Sequence, residues 1–311
     1  MVKTTSRLFK FPSSRYAHTM SKVKKIADMP YFLRQPKQAA SSPFVFASPH
    51  SGEEVPRDML ETIAIDAVTL KQSQDCRVDE LFSAVPEYGV PLLAARYART
   101  YVDLNRYDGE VDATMFHPRP DVAGQCERVE IGLGVIPRIV TADISIYEQT
   151  LPVEHIEMRL DRAYYPYHAR LKQLLDDTRD TIGKAILIDC HSMPSNLFGW
   201  SKRNALPDVV LGNCRGRSCS SDLILKAEGF LKDLGLKVRR NVPYAGGYCT
   251  QYYGQPDRGV HALQIELNRG LYMNEDNREP NENFAELQQK LSLFASRLIA
   301  SEDKASALAA E

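Results

Sequence analysis

Two histidines in this chain come directly after short apolar runs. His50 follows the run 44–47, and His191 follows the run 185–188. Such runs are typical of strands buried on both faces of a parallel sheet, and ligands bind at the carboxyl ends of these strands in open α/β sheets. Histidines there, with carboxylates nearby, have the chemistry of a catalytic zinc centre, which needs protein ligands, a position for water and a carboxylate that takes a proton. A lone strand-end histidine more often makes an ordinary hydrogen bond, so the hypothesis depends on the whole group.

The sequence offers two acids as the third ligand beside these histidines. Glu53 completes a His-x-x-Glu spacing with His50, which zinc hydrolases use, although so short a pattern is weak. Asp75 precedes an apolar pattern of helical spacing, where a carboxylate also serves as an N-cap by accepting free backbone N–H groups. The residue types and their spacing leave both acids open.

Another acid lies on the predicted strand 261–267. Leu263 and Ile265 face one side of this strand, whereas Gln264 and Glu266 face the other. Since an unpaired charge among apolar neighbours is costly, Glu266 is either salt-bridged inside the fold or placed at the sheet end for proton transfer. The pattern fits both roles.

Other functional classes lack their signatures. There is no Gly-x-Ser-x-Gly nucleophile elbow, no phosphate loop and no dinucleotide fingerprint. The net charge of −1 gives no electrostatic basis for binding nucleic acid, and no apolar stretch reaches the roughly 18 residues of a membrane span. The six cysteines are scattered without paired metal-binding spacing, which predicts free thiols and a cytoplasmic location.

The elements that must position these side chains alternate between strands and helices. The predicted strands are 44–47, 90–95, 101–104, 185–188, 261–267 and one around Val238. Helical spacing predicts helices over 78–85, 153–174 with a kink near Pro166, 223–231 and 284–298. We expect 107–150 to be a lid or insertion and 193–220 to be a loop. The alternation predicts a three-layer α/β/α fold with a mostly parallel mixed sheet.

We expect one α/β hydrolase domain over residues 40–302, followed by a short tail, 303–311. A chain of 311 residues that is 43% hydrophobic and 25% charged is long enough for such a domain. Residues 1–39 are predicted to form a basic leader outside the fold. Its first part, 1–27, is rich in Lys and Arg, contains no Asp or Glu and lacks the apolar core of a secretory signal.

Several motifs together resemble the N-formylglutamate amidohydrolase family. They are Ser-Pro-His-Ser-Gly (48–52), Asp-x-x-Val-Asp-Glu-Leu-Phe (75–82), Ala-Arg-Tyr-Ala-Arg (95–99), Val-Asp-Leu-Asn-Arg (102–106), Tyr-Pro-Tyr-His (165–168), Asp-Cys-His-Ser (189–192), Gly-Gly-Tyr-x-Thr-x-x-Tyr-Gly (246–254) and His-Ala-Leu-Gln-Ile-Glu (261–266). They stand in the family's order over residues 43–300. The resemblance implies a zinc-exopeptidase-like α/β fold and hydrolysis of the amide bond of an N-formyl or other N-acyl amino acid, typically N-formyl-L-glutamate.

The resemblance also implies a ligand set for one zinc ion. His50, Asp75 and His191 would hold it. Carboxypeptidase-like spacing favours Glu53 as the third ligand, but the family motif is written around the aspartate that matches Asp75. We therefore expect Asp75, with Glu53 as the alternative.

The remaining implied site residues divide into a catalytic pair and a substrate-binding group. Glu266 would take the proton of the attacking water and pass it to the leaving amine, and His261 would orient Glu266. An amino acid carries an α-carboxylate, and glutamate carries a second, so the site needs guanidinium groups. The residues expected to bind substrate are Asn105, Arg106, Arg99 and Tyr253, although Arg99 is equally readily a surface charge.

Two alternative functions stay open. The same chemistry could act on another N-acyl amino acid or peptide, but the absence of a secretory signal argues against a wall-cutting amidase. A catalytically silent protein could retain the pocket, but the intact set of candidate ligands and base argues against it. The expected partner is a small-molecule N-acyl amino acid, with no nucleic acid and no membrane.

Overall fold

The computed structural model describes residues 29–37, 42–122, 124, 126–141, 144–196 and 206–308, with side chains up to residue 302. The strands are β1 (Tyr31–Arg34), β2 (Phe44–Ser48), β3 (Leu92–Ala95), β4 (Phe116–His117), β5 (Ile139–Thr141), β6 (Ile144–Ser145), β7 (Leu151–Pro152), β8 (Ala185–Met193), β9 (Val209–Gly212), β10 (Val238–Arg240) and β11 (Val260–Asn268). Seven of them form one sheet, in the order β1-β3-β2-β8-β11-β9-β10. The pairs β1–β3 and β11–β9 are antiparallel and the other pairs are parallel, which confirms the predicted mixed sheet.

Helices cover both faces of this sheet. They are α1 (Arg57–Leu60), α2 (Ala67–Leu70), α3 (Val78–Leu81), α4 (Glu127–Glu130), α5 (Glu154–Arg159), α6 (Tyr165–Ile182), α7 (Ser221–Asp233), α8 (Tyr248–Tyr253) and α9 (Phe284–Leu308). In β2, Phe44 and Phe46 face the core beneath α3, α7 and α9. Val45 and Ala47 face the core beneath α6. Every residue of β2 and β8 is buried, because both faces of these strands are covered. The predicted α/β/α layers are confirmed.

The long helical segment before β8 contains the predicted irregularity. The π-helical turn Leu160–Tyr164 separates α5 from α6. Pro166 lies in the first turn of α6, and a wider turn ahead of it accommodates a residue that lacks an N–H and crowds the preceding carbonyl. Gly183 ends α6 with φ 87°, a left-handed conformation that glycine adopts readily. The chain then enters β8 in the middle of the sheet.

Two local predictions were wrong. Residues 101–104 form a turn, with the Tyr101 N–H donating to Ala98 O; their apolar side chains are buried in the α6-side core, so burial there does not reflect a strand. The segment 193–220 contains β9, which pairs antiparallel with β11. In the described part of the chain, no helix is both long and apolar enough to cross a membrane.

The domain boundaries differ from the expected ones at both ends. Residues 31–34, predicted to lie in the leader, form β1 and pair with β3. Residues 1–28 lie outside the described part of the chain. At the other end, α9 continues to Leu308, past the expected boundary at 302, because Ala, Lys and Leu favour helix. Residues 309–311 again lie outside the described part.

Candidate active site

Three side chains from different segments meet at the carboxyl edge of the sheet. His50 follows β2, Asp75 lies in the loop before α3, and His191 lies on β8 itself, which extends further than the sequence predicts. One ligand atom from each residue lies within 4.8 Å of the others, and all three side chains are buried. The structure thus brings together the ligand set expected with Asp75.

The two histidines face the shared carboxylate with the same ring nitrogen. Asp75 Oδ2 lies 3.1 Å from His191 Nδ1 and 3.4 Å from His50 Nδ1. The opposite nitrogens donate to other carboxylates: His50 Nε2 to Asp103 Oδ1 at 2.7 Å, and His191 Nε2 to Asp189 Oδ1 at 2.9 Å. These bonds place the proton on Nε2 and direct each Nδ1 toward the centre of the cluster, as in histidines that bind metals.

The cluster fits a divalent metal ion. His50 Nδ1 is buried and has no hydrogen-bond partner among the described residues, although buried polar atoms are normally satisfied. Two imidazole nitrogens and one carboxylate oxygen are a donor set that catalytic zinc centres use, with a further position left for water or substrate. An ion at this point would satisfy the unpaired nitrogen.

Asp75 is held in place by Arg269, which directly follows β11. Arg269 Nη2 lies 2.7 Å from Asp75 Oδ1, and its Nε donates to Ser192 Oγ at 3.1 Å. Burial alone would raise the pKa of Asp75, but the adjacent His191 and His50 side chains and the charge of Arg269 hold it well below its usual range. Asp75 does not cap the helix, since the residue that precedes α3 is Arg77 and no side chain caps it.

Glu53, the alternative ligand, is not part of the cluster. Its carboxylate is half exposed and pairs with Lys71 Nζ at 2.6 Å. The neighbouring Gly52 packs against the Tyr97 backbone, where a Cβ would lie 2.4 Å from the carbonyl oxygen, and Glu54 forms a bridge with Tyr97. These contacts hold residues 52–54 against the segment that follows β3. Glu53 therefore stays away from the cluster, although its spacing from His50 is that of a metal ligand.

Glu266 lies on β11, opposite His191 in the parallel pairing with β8. Gln264 Nε2 donates to Glu266 Oε1 at 2.8 Å. The pKa of Glu266 is raised to about 7, mainly by burial. The charge of His191 lowers this pKa, and the charge of Asp75 raises it. Glu266 forms no ion pair with any described residue, so the salt-bridge interpretation receives no support and a proton-accepting role suits its environment.

A cavity of about 480 Å³ contains the cluster and Glu266. Of the residues expected to bind substrate, Asn105, Arg106 and Arg99 line it. Asn105 Nδ2 lies 3.2 Å from His191 Nε2, while its Oδ1 accepts from the Cys249 N–H at 2.7 Å. The cavity therefore offers polar and cationic groups beside the metal-binding cluster.

The two expected arginines differ in their pairing. Arg99 donates to Asp103 Oδ2 from Nη2 at 2.6 Å and from Nε at 3.2 Å, so it is not a surface charge but holds the carboxylate that orients His50. Arg106 donates to the carbonyls of Leu133 and Asn105. Its Nη2 is 3.9 Å from Asp103 Oδ2, which leaves this nitrogen more available to a ligand.

His261 and Tyr253, which the sequence assigns to the site, do not line the cavity. His261 pairs opposite Ile186 near the other end of β11 and accepts from the Ser220 N–H. It cannot orient Glu266, because residues an odd number of positions apart face opposite sides of a strand. Tyr253 is buried against α6, and its hydroxyl donates to His168 Nδ1 at 2.9 Å. His168 Nε2 in turn donates to Leu104 O at 2.9 Å.

Several residues around the site were given no role by sequence reasoning. Three of them, Asp103, Asp189 and Gln264, lie within the motifs of the family. Asp189 could have been identified as a site residue because it is a charged residue in an otherwise apolar strand. Arg269 directly follows a strand, as ligand-binding residues often do. Arg128 also lines the cavity, but it lies in the irregular segment 107–150, where no pattern distinguishes it.

Comparison with known proteins finds relatives in one enzyme family. The sequence model of the family described as N-formylglutamate amidohydrolase matches residues 42–273. An N-formylglutamate deformylase of Pseudomonas aeruginosa is 30% identical over 244 residues, which are 75% of this chain and 83% of that protein. The corresponding protein of Pseudomonas putida is 28% identical over 239 residues, 75% of this chain and 82% of that protein. The crystal structure of N-formylglutamate amidohydrolase from Ralstonia eutropha JMP134 has a TM-score of 0.83 and 36% identity, and covers 88% of this chain and 98% of that chain. The chain belongs to the N-formylglutamate amidohydrolase family.

Proposed function

We propose that this protein hydrolyses the amide bond of N-formyl-L-glutamate, releasing formate and glutamate, and that it depends on one divalent metal ion, zinc. The observation that carries the proposal is the buried His50–Asp75–His191 cluster with Glu266 beside it in one cavity. The names of the Pseudomonas and Ralstonia relatives support the choice of substrate.

The metal would be held by His50, Asp75 and His191. When bound, it would polarise the amide carbonyl and make water a stronger nucleophile near neutral pH. Asp103 and Asp189 keep both imidazoles in the tautomer that presents Nδ1, and Arg269 fixes the rotation of the Asp75 carboxylate.

Glu266 moves the proton in the proposed reaction. Its Oε1 is fixed by Gln264, and a pKa near 7 suits a group that must both accept and release a proton at neutral pH. The carboxylate takes a proton from water as the water oxygen bonds to the formyl carbon. It then gives this proton to the glutamate nitrogen as the C–N bond breaks. Formate and the free amine leave.

Substrate carboxylates require cations in the same cavity. Arg106, with one nitrogen not engaged by a carbonyl, and Asn105 beside His191 are the residues we propose for the α-carboxylate. Guanidinium groups bind carboxylates through paired N–H donors. The α-carbon of the substrate carries both the α-carboxylate and the nitrogen of the amide bond that is cut. The α-carboxylate must therefore bind close to the metal-binding cluster, where Arg106 and Asn105 lie.

Formate release from N-formyl-L-glutamate by the zinc-loaded protein tests the proposal. We expect turnover by the native protein, none after chelation of the metal, and recovery when zinc is added back. N-acetyl- and N-succinyl-L-glutamate serve as comparison substrates for the acyl group. Formate release no faster than that of the Glu266→Gln variant would contradict the proposal.

A further inference from the structure

Four arginines line the cavity, and two of them are neutralised by carboxylates. Arg99 binds Asp103 at 2.6 Å, and Arg269 binds Asp75 at 2.7 Å. Both carboxylates also contact a histidine of the cluster. These two arginines thus hold the carboxylates of the metal site, and their charges are already neutralised by these ion pairs.

The other two arginines, Arg106 and Arg128, lack a counterion of their own. The nearest carboxylate to Arg106 is Asp103, at 3.9 Å, and Arg99 already binds that same oxygen. The Arg128 side chain forms no hydrogen bond or ion pair with any residue in the described ranges. The cavity therefore contains two arginines that none of its carboxylates pairs at ion-pair distance without a competing arginine.

Arg106 and Arg128 are close enough to influence each other. Burial lowers the pKa of Arg106, Asp103 opposes this, and the charges of Arg99 and Arg128 lower it further. The charge of Glu110 raises the pKa of Arg106. Among the described residues, however, Glu110 forms no ion pair with either arginine. Like charges in a partly buried cavity repel each other, and a bound anion would relieve this repulsion.

We propose that Arg128 binds the side-chain carboxylate of the substrate and sets the preference of the site for acidic over neutral N-acyl amino acids. This inference rests on the proposed function and adds the residue that recognises the substrate side chain. The two arginines without a counterion equal the two carboxylates of N-formylglutamate in number and carry the opposite charge. Paired guanidinium donors suit a terminal carboxylate better than a point charge would.

The positions of the two arginines assign one carboxylate to each. Arg106 adjoins Asn105, which contacts His191, so it lies beside the cluster, where the α-carboxylate must be. Arg128 belongs to α4 and lines the cavity together with Leu133, Ile139 and Thr141 of the following segment. This wall comes from a different part of the chain than the metal-binding cluster, and we assign to it the end of the substrate that lies away from the scissile bond.

The test compares N-formyl-L-glutamate with N-formyl-L-glutamine, which has the same size and a neutral side chain. In Arg128→Gln we expect kcat/KM for the glutamate substrate to fall by about 10- to 100-fold, the range of one lost charge-assisted contact. The loss should appear in KM, with kcat nearly unchanged. The glutamine substrate should change by less than about threefold, so the preference between the two substrates collapses.

Arg119→Gln is the matched control. Arg119 is exposed in the same segment of the chain and does not line the cavity, so both substrates should be unaffected. A glutamate-to-glutamine preference that survives in Arg128→Gln would overturn the proposal. An equal loss for both substrates would also overturn it, because Arg128 would then act on the fold or on the reaction itself.

A binding measurement separates this proposal from the proposed reaction. Glutarate and its monoamide are titrated calorimetrically into the zinc-loaded native and Arg128→Gln proteins. Tighter binding of glutarate by the native protein, lost in the variant, supports the anion site even if neither formyl substrate is hydrolysed, in which case only the proposed reaction fails. Turnover of N-formyl-L-glutamate with no effect of Arg128 on either probe refutes the anion site alone.

Discussion

Glu266 on β11 and His191 on β8 occupy directly opposed positions in the parallel pairing of the two strands. The proposed base and one proposed metal ligand are therefore fixed relative to each other by the hydrogen bonds of the sheet. Sites built on strands hold their geometry more tightly than sites built on loops. Asp75 lies in a loop, and its ion pair with Arg269 supplies the restraint that a strand would otherwise give.

Glu266→Gln should lower kcat by about 100-fold or more, because the amide cannot accept a proton from water. Metal content and melting temperature should change little, since Glu266 has no ion-pair partner among the described residues. Turnover, elemental analysis and thermal unfolding on the one variant check this. A destabilised variant that keeps its activity per folded molecule would leave the mechanism without its base.

The pH dependence of kcat/KM should show an acid limb that reports Glu266. Its pKa lies near 7, and only the carboxylate form accepts a proton, so activity falls by about tenfold per pH unit below that value. A bound divalent cation favours the carboxylate, so the limb lies at or below pH 7 in the loaded protein. The residual activity of Glu266→Gln should lack this limb, and an unchanged limb would assign it to another group.

Asp75→Asn should weaken zinc binding far more than Glu53→Gln. Asp75 Oδ2 faces both imidazoles, whereas Glu53 pairs with Lys71 at the surface. Elemental analysis after dialysis against a weak chelator gives the comparison, with His191→Ala as the reference for a lost ligand. Zinc retained by Asp75→Asn and lost by Glu53→Gln would reverse the ligand assignment.

Asp189→Asn should reduce zinc affinity by about 10- to 100-fold, the usual effect of removing the partner that orients a ligand histidine. Asp189 holds His191 Nε2 at 2.9 Å and also accepts from Thr250 Oγ1. Competition with a chromophoric chelator measures the affinity. Thr250→Val, which leaves the contact between Asp189 and His191 in place, should change it much less, and equal effects would count against the orienting role.

His168 should make the fold less stable in acid. Burial lowers the pKa of His168 to about 4, so between pH 6.5 and 4 the unfolded chain binds a proton that the folded one does not. Stability therefore falls as pH falls through this window, by about 3 kcal/mol in all. Denaturant unfolding at several pH values should show a shallower slope for His168→Gln. An equal slope in the variant would assign the acid sensitivity to other groups.

The sequence predicted the central strands because burial on both faces leaves a continuous apolar run, as in β2 and β8. β1 and β9 escaped prediction for the opposite reason. β1 lies at the sheet edge with little buried surface, and β9 is a short run inside a polar segment. The sequence of residues 101–104 fits a buried turn and a buried strand equally well, because both are rich in apolar side chains.

The site was predictable where a side chain follows from its own segment, as for His50, His191 and Glu266. Residue spacing alone did not choose between Asp75 and Glu53, and the expectation of Asp75 came from the family resemblance. The partner that holds Asp75 in place, Arg269, lies 194 residues away in the chain. The spacing of residues within one segment does not indicate a contact with a segment so far away in the chain. The role of His261 was mistaken because the family motif does not show which face of β11 each residue takes.

The position of β11 in the sheet has a consequence for synthesis on the ribosome. β11 lies between β8 and β9, which both emerge before it, and it carries Glu266 and leads into Arg269. Until β11 emerges, β8 presents an open backbone edge of the kind that recruits strands from other chains. A nascent chain halted before residue 260 thus has His50, Asp75 and His191 but neither proton acceptor nor the arginine that holds Asp75. Translation must pass this last strand before the sheet closes and before the polypeptide is protected from aggregation.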